Sequence, residues 1–129
     1  MKNVLLVEDD KKISMALSRR LRSVGYKVSL AGKATTALNY AANNSPDVIL
    51  LDVNLPGADG LSIAARLQAI KQTSLIPIII ITASKAIGLR EQAEALGVAA
   101  FLEKPFDSAQ LIDAVNQAHC STEVRSALV

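Results

Sequence analysis

A doubly wound α/β domain is the fold class that the sequence predicts, with a five-stranded parallel sheet in the order 2-1-3-4-5 and helices on both faces. Three observations lead to it. Five short runs rich in β-branched residues or Leu recur at even spacing along 129 residues. The stretches between them carry apolar residues at helical spacing, and Gly, Pro or Asn clusters fall where each helix has to stop. Regular alternation of strand and helix implies parallel strands joined by right-handed crossovers.

Taken in order, the first strand is Val4–Val7, followed at once by Glu8, Asp9 and Asp10. Ile13, Leu17, Leu21 and Val24 share one helical face, which Gly25 closes. The second strand, Lys27–Ala31, precedes a helix with Ala34, Ala37, Leu38 and Ala41 on one side, stopped by Asn43–Pro46. Val48–Leu51 is the third strand, and Ile63, Leu67 and Ile70 mark the helix after it, which ends in the polar and Pro-containing stretch Thr73–Pro77. Ile78–Ile81 is the fourth, with Leu89, Ala93 and Leu96 as the next helical face and Gly97 as its stop. Ala99–Glu103 is the fifth, and the last helix shows Leu111, Ile112, Val115 and Ala118 and should end near His119.

Strand order follows from composition. The first, third and fourth strands are apolar at consecutive positions, as strands covered on both faces must be. Lys27-Val28-Ser29-Leu30 alternates and the fifth strand runs into Glu103 and Lys104, so these two belong at the edges. The switch point then lies between strands 1 and 3, and ligands of such sheets bind at the carboxyl ends of the strands beside it.

The chain is one domain long, and its 50% hydrophobic and 20% charged residues exclude intrinsic disorder. The predicted domain covers residues 1–119, with 120–129 as a C-terminal tail or the start of a linker. Trp is absent and Tyr26, Tyr40, Phe101 and Phe106 are the only aromatics, which with a net charge of +2 argues against direct nucleic-acid binding. The single cysteine, Cys120, excludes an internal disulfide framework and a cysteine zinc site, and reads as an incidental thiol. No run approaches the ~20 apolar residues of a membrane span, and Val4–Val7 is no signal-peptide core. These features point to a cytoplasmic protein.

The polar residues that end the strands are Glu8-Asp9-Asp10, Asp52, Thr82 and Lys104-Pro105. Strands 1 and 3 are neighbours in the inferred order, so Glu8, Asp9 and Asp52 should meet. Two carboxylates ~5 Å apart repel by roughly 3 kcal/mol at an effective dielectric of 20, so a positive group must sit among them. Lys104 is one such group; a hard divalent cation held by oxygen ligands is the other. Asp10 and Asp59-Gly60 read instead as helix-capping and turn residues. Alone, Thr82 would be an ordinary strand-end hydroxyl and Lys104 a solvated charge; together with the carboxylates they form a constellation on one rim.

Those residues stand in motifs that make the chain resemble the receiver domain of two-component response regulators from about Lys2 to His119. The motifs are Val7-Glu8-Asp9-Asp10, the stretch from Leu51-Asp52-Val53-Asn54 through Asp59-Gly60, Ile81-Thr82-Ala83, and Glu103-Lys104-Pro105-Phe106. The resemblance implies that Asp52 is the phosphoacceptor, taking a phosphoryl group from a histidine of a sensor histidine kinase or histidine phosphotransfer protein. It implies a Mg2+ cofactor, with Mn2+ as a substitute, held by Glu8, Asp9, Asp52 and the Asn54 backbone carbonyl. It assigns Thr82 and Lys104 to phosphoryl oxygens, and implies a cis peptide between Lys104 and Pro105. The switch would be Phe101 moving into space beside Ala83, changing the face of helix 4, strand 5 and helix 5 for a downstream target protein or output domain. Such a domain catalyses only its own phosphoryl transfer and dephosphorylation.

Other readings compete. A dinucleotide fold lacks its G-x-G-x-x-G, and a flavin phosphate would be repelled by Glu8-Asp9-Asp10. A Mg2+-dependent aspartyl-phosphate phosphatase generally carries its nucleophile after the first strand with a second Asp two residues on, whereas Asp52 follows the third strand and is followed by Asn54. A phosphorylation-independent interaction module would have no need of the full set. His119 reads as a solvated or dipole-paired histidine at a helix end.

Overall fold

A computed structural model describes the backbone of residues 2–128 and the side chains of residues 2–119. Its principal elements are β1 (Asn3–Val7), α1 (Lys11–Ser23), β2 (Lys27–Ala31), α2 (Ala34–Asn44), β3 (Val48–Asp52), α3 (Gly60–Ala69), β4 (Ile78–Thr82), α4 (Leu89–Ala95), β5 (Ala100–Glu103) and α5 (Ser108–Leu128). The five strands are parallel in the order β2-β1-β3-β4-β5, as the sequence predicts.

Side-chain alternation along the central strands explains why they are apolar throughout. Leu5, Val7, Ile49, Leu51 and Ile80 pack beneath α2, α3 and α4, against Ala41, Ile63, Leu67 and Ala93. Their neighbours Val4, Leu6, Leu50, Ile79 and Ile81 face the other way, against Leu17 and Leu21 of α1 and Leu111 and Val115 of α5. Asp10 and Asp59 cap helices as expected. The Asp10 carboxylate accepts from the Lys12 and Ile13 amides at 2.9 and 3.2 Å, and that of Asp59 from Leu61 at 3.0 Å. No helix among the described residues is long and apolar enough to cross a membrane.

The structure departs from the sequence reading in three places. A two-residue antiparallel ladder, Asn54–Leu55 with Ala58–Asp59, lies between β3 and α3, turning at Pro56-Gly57 with Gly57 at φ +69°. Strands of two residues carry no periodicity, so only the Pro-Gly pair signalled the turn. The last helix does not end near His119 but runs on to Leu128, because no Gly or Pro follows Pro105 to stop it. His119 is therefore an interior helical position four residues after Val115, and it is buried, not solvated. The Cys120 thiol, expected to be incidental, lies outside the described side chains.

Candidate functional site

The carboxyl ends of β1, β3, β4 and β5 converge on one rim. β3 and β4 each extend one residue beyond their apolar runs, so Asp52 and Thr82 are themselves in the ladder, opposite Ile81 and Glu103. Backbone bonds continue past them: the Val53 amide donates to Ile81 at 3.2 Å and the Lys104 amide to Thr82 at 2.8 Å. At the end of β1 the Glu8 amide donates to the Ala31 carbonyl at 3.0 Å. Asp52 and Thr82 are thus placed by the sheet itself and Glu8 and Lys104 by bonds that continue its ladder, while Asp9 lies in the bend after β1.

Glu8, Asp9 and Asp52 each offer a carboxylate oxygen, and the three oxygens lie within 4.8 Å of one another. Glu8 and Asp52 are buried and Asp9 is exposed. The Lys104 ammonium donates to Glu8 Oε1 at 3.0 Å and to Asp52 Oδ2 at 3.4 Å. The Asn54 amide donates to Asp52 Oδ1 at 3.0 Å, which sets residue 54 against the carboxylate. The peptide bond between Lys104 and Pro105 is cis. Thr82 is fully buried, and its Oγ1 accepts from the Ser84 amide at 2.9 Å.

Lys104 offsets only part of the acidic charge. Burial pushes the Glu8 carboxyl up to about 7, the neighbouring Asp52 carboxylate adds to this, and Lys104 opposes it. For Lys104 burial acts downward, yet its bond to Glu8 and the charges of Asp52 and Glu8 hold it above the usual lysine value. Glu8 Oε2 is buried with no hydrogen-bond partner among the described residues. A buried, orphaned carboxylate oxygen beside two further carboxylates is a donor set that suits a hard divalent cation such as Mg2+. An open hollow lined by Asp9, Asn54 and Asp59 adjoins the cluster.

Phe101 is half-buried on β5, and the Arg90 guanidinium lies 4.7 Å from its ring centroid. Glu103 bonds Lys85 at 3.0 Å and Arg90 at 3.5 Å. Ala83, beside which the ring was expected to move, is exposed.

One residue at the site escaped the sequence reading, which gave it only a turn and cap role. A Cβ on Gly60 would lie 2.5 Å from the Asp52 carbonyl oxygen, so the start of α3 presses directly on the backbone of Asp52. The dipeptide Asp59-Gly60 was the only signal, and it does not distinguish a turn glycine from one needed for close approach.

A parallel α/β domain with an acidic cluster at its switch point, countered by Lys104, defines a class of domain whose rim suits a hard divalent cation. Comparison with known proteins gives the family. The model of the response regulator receiver domain matches residues 4–116, and the chain belongs to that family. It is 39% identical over 108 residues to the response regulator PleD of Caulobacter vibrioides, covering 84% of this chain and 24% of PleD. It is 35% identical over 118 residues to the transcriptional regulatory protein PdtaR of Mycobacterium tuberculosis, covering 91% of this chain and 56% of that protein. The chain therefore spans about a quarter to little more than half of these relatives. Among solved structures, a CheY-like receiver domain protein from Methanospirillum hungatei superposes with a TM-score of 0.90 at 22% identity, over 97% of this chain and 98% of that one, which shows the shared fold. The receiver domain of the sensor histidine kinase PA1611 from Pseudomonas aeruginosa, solved with a magnesium ion coordinated in its active-site cleft, gives 0.83 at 33% identity, over 92% and 97% of the two chains.

Proposed function

We propose that this receiver domain is a phosphorylation-dependent switch that accepts a phosphoryl group on Asp52 from a phosphohistidine of a sensor histidine kinase or histidine phosphotransfer protein. The observation that carries the proposal is the meeting of Glu8, Asp9 and Asp52 within 4.8 Å, with Lys104 bonded to two of them. A carboxylate oxygen of Asp52 attacks phosphorus, the new O–P bond forming as the N–P bond breaks, and the imidazole leaves with the electron pair. Glu8, Asp9, Asp52 and the Asn54 carbonyl would hold Mg2+, which when bound neutralises charge on the phosphoryl oxygens. The cation bound to the PA1611 receiver supports that assignment. Lys104 supplies a second positive charge at the phosphoryl group, and the Thr82 hydroxyl exchanges its bond to the Ser84 amide for one to a phosphoryl oxygen. Most of what phosphoryl transfer requires is positioning and charge neutralisation, and both are built into the rim.

Phosphorylation adds about −1.5 to −2 charge. The Thr82 movement that follows frees the loop after β4 and lets Phe101 turn inward beside Ala83. Phe101 has no hydroxyl, so it reports by packing alone. The surface changed is that of α4, β5 and α5, which a target protein or output domain reads.

Incubation with a small phosphodonor and Mg2+ tests the reading. One phosphoryl group per chain, lost on Asp52→Asn and on chelation, is the expected result. Continuous turnover of the donor would identify a phosphatase, and a chain left unlabelled by both donor and kinase would be an interaction module.

A further inference from the structure

We propose that the flank of α1 turned toward the open edge of β2 is a docking face for an acidic segment of a partner protein. Charge along the chain is segregated: residues 11–46 contain seven lysines and arginines and no aspartate or glutamate, although the whole chain carries only +2. The Arg22 guanidinium donates to the Val28 carbonyl of β2 at 3.4 Å, which shows which side of α1 faces that edge. Lys11, Met15 and Ser18 precede Arg22 at helical spacing on the same side, with Arg19 just outside them. Among the described residues β2 pairs only with β1, so no further strand covers its outer edge, where Arg22 takes the Val28 carbonyl. Leu30 stands opposite Leu6, whose side chain belongs to the α1–α5 layer, and therefore lies on the α1 side of the sheet.

Two features of this face need an explanation that solubility alone does not give. Met15 is 52% exposed and Leu30 50%, placing two large apolar side chains beside Lys11, Arg19 and Arg22. None of these three cations forms an ion pair among the described residues. By contrast, Glu103 at the opposite edge of the sheet is paired with both Lys85 and Arg90.

Apolar groups ringed by unpaired cations fit an acidic peptide carrying a few hydrophobic side chains. The face has no aromatic residue, which disfavours single-stranded nucleic acid. In a second copy of the chain Glu103 is paired, and Glu91 and Glu94 of α4 are the exposed carboxylates near the exposed Ile87, so pairing between copies is the competing occupant that the test has to exclude. The face is carried on the side of α1 away from Lys104 and Pro105, which line a groove with Ile13, Ala16 and Arg20 on the other flank. Occupancy there leaves the rim accessible.

The test is an NMR titration of methyl-labelled protein with a short Glu/Leu peptide, an all-Glu peptide of equal charge, a single-stranded DNA oligomer and phosphatidylserine vesicles. The expected result is that the Glu/Leu peptide shifts the Met15 and Leu30 methyls and binds at least about tenfold more tightly than any other probe. Lys11→Glu with Arg19→Glu, both exposed positions, should weaken it about tenfold or more, and Met15→Lys should reduce it to the all-Glu level. Tighter binding of the DNA or the vesicles, methyl shifts elsewhere, or indifference to these substitutions overturns the proposal. So does self-association of the free protein through the same methyls.

Discussion

A side chain at position 60 would meet the Asp52 carbonyl oxygen at 2.5 Å and the Val53 Cα at 2.6 Å, and both are backbone atoms that cannot swing aside. Gly60→Ala is therefore expected to destabilise the fold by about 1–3 kcal/mol, as overpacking does. Urea unfolding measures that loss, and the amide shifts of residues 52–54 should move with it. Glu8 makes a second prediction. With its folded value raised from 4.5 to about 7, the native state keeps a proton that the unfolded chain releases. In the absence of a divalent cation, stability should fall as pH rises through that window, by at most about 3 kcal/mol, and Glu8→Gln should flatten the slope. Lys104 acts in a different range: its contribution is complete below the unfolded lysine value and is lost as pH rises through the higher folded one. Glu8, Asp9, Asp52, Thr82 and Lys104 were legible in the sequence because each follows or ends an apolar run. Gly60 was not, because the need for glycine there arises only when α3 folds back across the end of β3.

Among the elements, the segment from β4 to α4 is tied at both ends. The Ser84 amide donates to Thr82, and Lys85 and Arg90 bond Glu103 across on β5. Arg90 also covers the Phe101 ring. Arg90→Ala should uncover that ring and shift or broaden its aromatic NMR signals, while Lys85 keeps Glu103 paired. Because these groups are exposed, unfolding midpoints should hardly change, and the ring signals of the unsubstituted protein should respond to added salt. Unchanged Phe101 signals would show that Arg90 does not hold the ring. The elements themselves were readable wherever periodicity had room to show, as in β3, β4 and the buried side of α1. The Asn54–Leu55 and Ala58–Asp59 ladder was too short to leave a pattern, and α5 runs past its expected end near His119 because no breaker is present there.

For the molecule as a whole, the sheet order could be read from sequence because coverage on both faces leaves a composition that edge strands cannot share. What could not be read was charge segregation in space, since the sheet decides which side of α1 lies outward. A cation bound only by the folded protein stabilises it by mass action, by about 2.7 kcal/mol at a hundredfold excess over Kd. Mg2+ should therefore raise the unfolding midpoint, and Asp9→Asn, on an exposed carboxylate that costs the apo fold little, should abolish most of that gain. Thermal melts with and without the ion measure it. The Val53 amide is bound into the ladder by Ile81, whereas the next amide, that of Asn54, is held only by a side-chain oxygen of Asp52. In deuterium oxide the first should exchange through near-complete opening of the sheet and the second through a small local fluctuation. Two consecutive peptide groups would then keep very different time, and the frontier between inert scaffold and reactive chemistry would run through a single residue.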